Sequence, residues 1–133
     1  MKIKVFTCGG TFEKIYNPIS GELGFRESCL PSIIKRSRIT LEVDFEELFF
    51  KDSLDMDNDD RLMIAHKIKI EPIKHIVVIH GTDTMVQTAQ TIKKHTSRDK
   101  VIVITGAMLP FSIKESDAMF NFGGAFIATQ TLE

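Results

Sequence analysis

The segment His75-Ile76-Val77-Val78-Ile79-His80-Gly81 decides the fold class of this chain. It is a short, nearly unbroken run of β-branched residues that ends at a glycine, which is typical of a strand covered on both faces. A second run, Val101–Thr105, repeats the pattern and also ends at a glycine. Between the two runs, Met85, Ala89 and Ile92 recur at helical spacing and predict a helix with an apolar face. This order predicts a βαβ unit with parallel strands.

The sequence before this unit continues the alternation of strands and helices. Residues 2–6 alternate and favour a strand, and residues 39–45 place their apolar side chains on one face of a half-buried strand. A helix is predicted over 59–71, because Asp57–Asp60 supply capping residues and negative charge at its start and Pro72 follows it. Together these elements predict a mainly parallel sheet with helices on its faces.

Two further segments complete the predicted order of elements. Residues 8–31 contain glycines and prolines and predict a long irregular segment, a kind of loop that is often functional. A last helix is predicted to begin near Ser116 or Asp117, and it carries Met119, Phe122 and Phe126 on roughly one face.

The composition is that of one domain spanning residues 1–133. The chain is 43% hydrophobic and 26% charged, which is enough to bury a single core. The net charge of −1 and the absence of a basic stripe disfavour nucleic-acid binding. The longest apolar runs, such as 76–79 and 101–104, fall far short of the ~20 residues that a membrane-spanning helix needs. The start of the chain lacks a signal-peptide pattern, so we expect a cytoplasmic protein.

The cysteines and histidines do not show metal-ligand spacing. Cys8 and Cys29 have no CxxC partner and are expected to be free thiols. His75 and His80 point to opposite faces of their predicted strand, and we expect His80 to be packed against its neighbours. We therefore expect no metal site.

Small polar residues and glycines follow each predicted strand. The carboxyl ends of parallel strands meet at one edge of a sheet, and ligands bind there. The sequence therefore predicts a site built from four segments: Thr7–Thr11, Ser53–Asp55, His80–Thr84 and Thr105–Met108.

The first and third of these segments carry reactive side chains. Two glycines before Thr11 let the backbone approach a ligand closely, and an activated Thr11 hydroxyl can act as a nucleophile. The alternative is a plain turn between a strand and a loop. Thr82 beside Asp83 suits substrate binding or proton transfer. The alternative is a cap on the following helix, and both interpretations can hold together.

Ser53 and Tyr16 are the other two candidates. Ser53 can donate and accept a hydrogen bond to a substrate, and the alternative is a turn or helix cap. Tyr16 is the only tyrosine of the chain, so it is the one phenol available to a mechanism. The alternative for Tyr16 is a loop residue whose ring lies on the surface.

Taken in order along the chain, these motifs resemble the amino-terminal domain of bacterial-type L-asparaginases, and the similarity covers essentially the whole chain. The stretch Ser116–Ala125 is similar too. The resemblance implies a three-layer α/β/α domain that is Rossmann-like or flavodoxin-like in build. The motifs that carry it are Thr7-Cys8-Gly9-Gly10-Thr11-Phe12, Lys51-Asp52-Ser53-Leu54-Asp55-Met56, His80-Gly81-Thr82-Asp83-Thr84-Met85 and Thr105-Gly106-Ala107-Met108-Leu109-Pro110.

The resemblance also implies a reaction. It implies hydrolysis of L-asparagine to L-aspartate and ammonia without a cofactor, in a homo-oligomer. Thr11 would be the nucleophile that forms an acyl-enzyme, Thr82 and Asp83 a second catalytic pair, and Tyr16 an assistant to the nucleophile. The residues implied to bind the substrate are Ser53, Gly10, Asp83 and Ala107.

Several features depart from the family pattern. Cys8 stands where the family more often has threonine, and Leu54 replaces a residue that is often polar. In the family a lysine beyond the last helix seen here completes the Thr–Asp pair, and neither Lys100 nor Lys114 lies in that motif. The family's carboxy-terminal domain has no counterpart in residues 1–133, and Glu133 is expected to be either a natural end or a cut inside the domain.

These departures keep an alternative function open. A catalytically incompetent module would keep the pocket for aspartate or asparagine and lack the completing lysine. A nucleotide-binding domain is disfavoured, because the chain has neither a GxGxxG fingerprint nor a phosphate-loop motif.

Overall fold

The computed structural model describes all 133 residues, Met1–Glu133. Short 3₁₀ turns lie at Thr11–Glu13 and Ser53–Asp55. The strands and helices, in chain order, are β1 (Lys2–Gly9), β2 (Ile15–Asn17), β3 (Glu22–Gly24), α1 (Leu30–Arg36), β4 (Glu42–Lys51), α2 (Asn58–Ile70), β5 (His75–Ile79), α3 (Met85–His95), β6 (Val101–Thr105) and α4 (Ala118–Thr131).

Four of the strands form one parallel sheet in the order β4-β1-β5-β6. β2 and β3 form a separate antiparallel hairpin. Because β1 pairs with β4 on one side and with β5 on the other, the chain changes its winding direction between β1 and β5. This position is the topological switch point at which open α/β sheets bind ligands.

Helices cover both faces of the sheet. Val77 and Ile79 pack with α1 and α4 on one face, while Ile76 and Val78 pack with α2 and α3 on the other. The period of two along β5 places its successive side chains on opposite faces, so an almost continuous apolar strand serves two cores. The predicted three-layer α/β/α fold with a parallel sheet is confirmed.

Helix α2 begins as its sequence predicts. The Asp57 carboxylate accepts a hydrogen bond from the Asp60 N–H at 2.8 Å, and the Asp60 carboxylate accepts one from the Asp57 N–H at 3.1 Å. This reciprocal capping box satisfies two amide groups that the helix leaves without partners. The longest helix, α4, has 14 residues, and none of the helices is long and apolar enough to span a bilayer.

Three predictions of local structure were wrong in detail. Residues 8–31 are not one irregular segment, because β1 runs to Gly9 and the segment also holds a 3₁₀ turn, the β2–β3 hairpin and the start of α1. The strand predicted at 39–45 lies at Glu42–Lys51 instead. On α3, Ala89 is exposed and Thr88 is buried in its place, because the Thr88 hydroxyl has a hydrogen-bond partner in the core.

Candidate active site

The loops after β1 and β5 touch at the switch point. Gly10 has φ +70° and ψ 178°, a conformation that is essentially restricted to glycine. A Cβ atom at Gly10 would lie 2.5 Å from the backbone nitrogen of Gly81. The Gly10 N–H donates to the Lys51 carbonyl oxygen at 2.9 Å. Glycine at this position therefore allows three strand ends to meet, and it brings the Thr11 segment against the Thr82 segment.

Ser53 lies on the other side of this contact. A Cβ atom at Gly81 would lie 2.7 Å from Ser53 Oγ, and Ser53 is 2% exposed. The Thr84 N–H donates to Ser53 Oγ at 3.2 Å, and Thr84 Oγ1 donates to the Ser53 carbonyl oxygen at 2.8 Å. Thr84 thus fixes Ser53 to the turn that carries Thr82 and Asp83. No local pattern singles out Thr84, because its role depends on a contact between two distant loops.

The loop after β6 is the fourth component of this edge. A Cβ atom at Gly106 would collide with the His80 carbonyl oxygen and would lie 3.3 Å from Thr82 Cγ2. Ala107 follows it and is buried. The four segments that the sequence singled out therefore lie side by side at the carboxyl edge of the sheet.

Asp117 holds the loop after β6 in place. Its carboxylate accepts hydrogen bonds from the Met108 N–H and the Leu109 N–H, and these bonds lower the pKa of Asp117. Asn121 Nδ2 donates to the Gly106 carbonyl oxygen at 3.0 Å and to the Asp117 carboxylate at 3.0 Å. Sequence reasoning treated Asp117 only as a helix start. Its second role, as an acceptor for a neighbouring loop, requires the tertiary fold.

The reactive side chains at this edge are free of these structural bonds. Thr11 is half-buried, while Thr82 and Asp83 are exposed. The hydrogen bonds that fix the loops run through backbone groups, Ser53, Thr84 and Asp117 instead. Two hydroxyl groups and a carboxylate are therefore available to an incoming molecule. The Thr84 side chain makes no cap bond on α3, and Asp83 precedes the helix without capping it.

His80 lies in the core beneath the carboxyl edge of the sheet and contacts the Gly81 turn. It is fully buried, with Nδ1 2.7 Å from the Gly81 carbonyl oxygen and Nε2 2.8 Å from Thr88 Oγ1. Burial lowers the pKa of His80, so the ring is held neutral. The prediction that His80 is a packed residue is confirmed. It links the Gly81 turn to the first half of α3.

Tyr16 lies on the β2–β3 hairpin, paired with Leu23 and 56% exposed. Its strand begins four residues after Thr11, so the hairpin projects from the edge of the candidate site. Tyr16 lines a cleft of about 400 Å³ within the hairpin, together with Pro18 and Arg26. The structure thus places Tyr16 on an exposed flap next to the Thr11 segment.

Glu13 fixes both ends of this flap. Its buried carboxylate accepts hydrogen bonds from Thr7 Oγ1 at 3.1 Å, Ser28 Oγ at 2.8 Å and the Cys29 N–H at 2.8 Å. The flap between residues 14 and 27 therefore leaves and rejoins the domain at one buried carboxylate. Sequence reasoning did not select Glu13, since an isolated glutamate in a polar loop carries no pattern.

The two cysteines, Leu54 and the two lysines discussed from the sequence lie outside the cluster of Thr11, Thr82 and Asp83. Cys8 and Cys29 are free thiols, and Cys8 packs into the core beneath α2 rather than towards the site. Leu54 is exposed beside Ser53. Lys100 Nζ donates to the Ile68 carbonyl oxygen at 2.6 Å, at the carboxyl end of α2 and thus away from the Thr11 edge. Lys114 is exposed in the loop before α4.

The fold and this edge together define a class of protein. The domain is a parallel α/β domain whose candidate site offers hydroxyl groups and a carboxylate at the switch point. Its glycines serve close contacts between loops, as the Gly10–Gly81 and Gly81–Ser53 approaches show.

Comparison with known proteins identifies the family. The model of the asparaginase amino-terminal domain matches residues 2–132. L-asparaginase 1 of Escherichia coli (strain K12) is 30% identical over 127 residues, which cover 90% of this chain and 37% of that protein. L-asparaginase 2 of Bacillus subtilis (strain 168) is 32% identical over 103 residues, covering 74% of this chain and 27% of that protein. The chain belongs to the asparaginase family.

Solved structures agree in fold. The probable cytoplasmic L-asparaginase from Campylobacter jejuni superposes with a TM-score of 0.84 at 27% identity, covering 98% of this chain and 42% of that one. The thermostable L-asparaginase from Thermococcus kodakarensis gives a TM-score of 0.83 at 23% identity, covering 98% of this chain and 41% of that one. The chain therefore spans well under half the length of the relatives that it matches.

Proposed function

We propose that this domain hydrolyses the side-chain amide of L-asparagine to give L-aspartate and ammonia, with Thr11 as the nucleophile. The observation that carries the proposal is the contact between Gly10 and Gly81, which brings the Thr11 hydroxyl segment against the Thr82-Asp83 segment at the switch point. Membership of the asparaginase family supports the substrate class.

The reaction would proceed in two steps. Thr11 Oγ attacks the amide carbon, its proton passes to the departing nitrogen, and the C–N bond breaks to release ammonia. Water then attacks the ester on Thr11, releases L-aspartate and restores the hydroxyl group. A threonine hydroxyl needs a neighbouring base or proton acceptor for the first step. Tyr16 on the flap and Asp83 across the loop contact are the groups that we assign to proton transfer and orientation. This route uses no cofactor.

The oxyanion formed in each step needs hydrogen-bond donors that are already in position. Backbone N–H groups beside Gly10 and the Thr82 hydroxyl supply donors of this kind. Gly10 and Gly81 have no side chains that could block the approach of a substrate carbonyl group. Because the loops are fixed by Thr84 and Asp117, these donors need little reorganisation during the reaction.

Substrate recognition falls to the segments on either side of Thr11. Ser53 would hydrogen-bond the α-amino or carboxylate group of the amino acid, and Asp83 would accept the ammonium group. The backbone at Gly10 and Ala107 would line the remainder of the pocket. The β2–β3 flap would close over the bound substrate and exclude water. We expect asparagine to reach Thr11 when the β2–β3 flap moves away from the site.

A second candidate function is binding without turnover. The position of Lys100 favours binding without turnover. Its ammonium group donates hydrogen bonds to carbonyl oxygens at the end of α2 and not to the Thr82-Asp83 turn. A binding module of this kind would hold L-aspartate or L-asparagine and release no ammonia.

Ammonia release from L-asparagine separates the two functions. We expect release by the wild-type domain and a loss of at least about a thousandfold in Thr11→Ala, since the nucleophile is removed. Thr40→Ala is the matched control, because Thr40 is an exposed threonine outside the site. No release by the wild type, with L-aspartate raising Tm, would establish the binding module. Full activity of Thr11→Ala would disprove the assignment of the nucleophile.

Two expectations concern the setting of the domain. We propose that it acts in the cytoplasm, as the chain start without a signal-peptide pattern suggests, and as a homo-oligomer, as the resemblance to the family implies. Sedimentation equilibrium of the purified chain tests the oligomer, and a monomer at all concentrations would contradict it.

A further inference from the structure

Arg61 is a largely buried residue whose guanidinium group has no partner within the domain, although its terminal nitrogens reach the surface. Its residue is 9% exposed, and its Nε atom is buried without a hydrogen-bond acceptor. It takes part in none of the ion pairs of the structure. Arginine is almost never buried unless it is paired, because an unpaired buried charge is costly. A guanidinium group in this state has donors ready for an anion.

The surroundings of Arg61 add to this cost. Arg61 lies in the first turn of α2, where the helix dipole favours negative charge. The neighbouring carboxylates are engaged elsewhere, since Asp60 pairs with Lys51 at 2.9 Å and with the Asp57 N–H. His80, on whose ring the charge of Arg61 acts, is neutral. Asp59 is exposed and makes no ion pair with Arg61, so the guanidinium group has no direct anionic partner within the domain.

Arg61 faces a polar groove between α2 and α3 with a volume of about 630 Å³. The groove is also lined by Lys94, His95, Gln87 and Gln90, and no aspartate or glutamate lines it. Leu62 and Thr91 also line the groove, so every ionisable side chain of the groove is basic and the groove favours negative charge. Arginine and lysine donate strong, charge-assisted hydrogen bonds to carboxylate and phosphate oxygens.

We infer that the groove between α2 and α3 binds the oxyanion group, a carboxylate or a phosphate, of a small polar molecule, with Arg61 as its principal ligand. Lys94 supplies a second positive charge at the mouth of the groove, and the amides of Gln87 and Gln90 contact the uncharged part of the molecule. The groove shares no lining residue with the four segments of the Thr11 edge, so the inference stands independently of the proposed amide hydrolysis.

The test uses two probes, inorganic phosphate and succinate, titrated into the wild-type domain by calorimetry at low ionic strength. We expect a Kd of about 1 mM or tighter for at least one probe. Binding of phosphate alone identifies a phosphorylated ligand, and binding of succinate alone identifies a carboxylate. Failure of both probes to bind would overturn the inference.

Variants locate the bound anion. Arg61→Met is expected to weaken binding by about tenfold or more, and Lys94→Gln by about threefold. Lys93→Gln is the matched control, because Lys93 is adjacent on α3 and does not line the groove; its Kd should stay within about twofold of the wild type. An unchanged Kd in Arg61→Met would place the anion elsewhere and overturn the inference.

Thermal stability gives an independent readout. The anion is expected to raise the Tm of the wild type, since it binds the folded state alone, and to leave the Tm of Arg61→Met unchanged. Should Arg61→Met fail to fold, Lys94→Gln against Lys93→Gln decides the question. Equal affinities in those two variants would then contradict the inference.

Discussion

The two ends of the parallel sheet differ in whether their polar side chains are paired with one another. At the amino end, Lys4 is 5% exposed, and its ammonium group lies 3.1 Å from Asp44, 3.3 Å from Glu46 and 3.5 Å from Glu71. At the carboxyl end, glycines bring loops into backbone contact, and the side chains of Thr11 and Thr82 remain free.

This difference predicts that the polar groups at the amino end contribute to stability and that those at the carboxyl end contribute to ligand binding. The charged groups at the amino end form ion pairs with one another. A substitution there should change the free energy of unfolding and leave ligand binding unchanged. At the carboxyl end, glycine contacts and the side chains of Ser53, Thr84 and Asp117 fix the loops, while the Thr11 and Thr82 hydroxyl groups have no partners. Substitutions at the amino end should therefore change stability alone, and those at the carboxyl end should also change ligand binding.

The largest effect is expected at Gly10. In Gly10→Ala, the new Cβ atom would lie 2.5 Å from Gly81 N and the backbone would be strained, so the free energy of unfolding should fall by about 3 kcal/mol or more. Denaturant unfolding measures this. Gly21→Ala is the matched control, because Gly21 has a similar φ of +74° with open space around it. It should lose about 1 kcal/mol from backbone strain alone. Equal losses in the two variants would show that the loops do not touch.

A smaller loss is expected at Lys4. In Lys4→Met, three carboxylates lose their common partner, and the free energy of unfolding should fall by about 2 kcal/mol, less than for a fully buried pair because Asp44 is half exposed. The exposed pair of Lys2 and Glu42 provides the control, and Lys2→Met should be indistinguishable from wild type in the same unfolding experiment. Weaker binding of L-aspartate by Lys4→Met would break the proposed separation of the two ends.

Thr84 should show a smaller effect that is specific to the carboxyl end. Thr84→Val removes the hydroxyl group that donates to the Ser53 carbonyl oxygen and should cost about 1 kcal/mol of stability. It should also weaken L-aspartate binding, because Ser53 is then less well fixed. Thr131→Val, which removes an exposed hydroxyl group on α4, serves as the control. Unaltered L-aspartate affinity in Thr84→Val would argue against a binding role for Ser53.

The smallest effect is a pH dependence at the amino end. The hydrogen bond from Lys67 Nζ to Glu46, assisted by Lys4, lowers the pKa of Glu46 below its ordinary value. Stability from this carboxylate is therefore fully present above the unfolded-state pKa and is lost as the pH falls through the folded-state pKa. Glu46→Gln should make unfolding less dependent on pH in the acid range. The same pH dependence in wild type and variant would exclude this contribution.

Much of this architecture follows from local sequence. The runs at 75–79 and 101–105 predict buried strands because β-branched residues fill both faces of a covered sheet. The glycine-rich strand ends predict the edge at which they meet, and Asp57 and Asp60 predict the start of α2. In each case the signal lies within a few consecutive residues.

The parts that sequence reasoning missed depend on distant contacts. Glu13 joins Thr7, Ser28 and Cys29, and no pattern within residues 8–31 indicates this. Thr88 is buried on α3 because His80 lies opposite, whereas periodicity favoured Ala89. The partnerless state of Arg61 likewise emerges only when every neighbour is in place.

The most direct test of the central claim is a titration of the 15N-labelled domain with L-aspartate, followed by amide chemical shifts. We expect shift changes at residues 10–11, 53–54, 81–84 and 106–107 and in the flap residues 15–24, and no changes around Lys4. This readout does not depend on turnover, so it applies to both an enzyme and a binding module. Shift changes confined to other parts of the domain, or none at all, would contradict a ligand site at the carboxyl edge of the sheet.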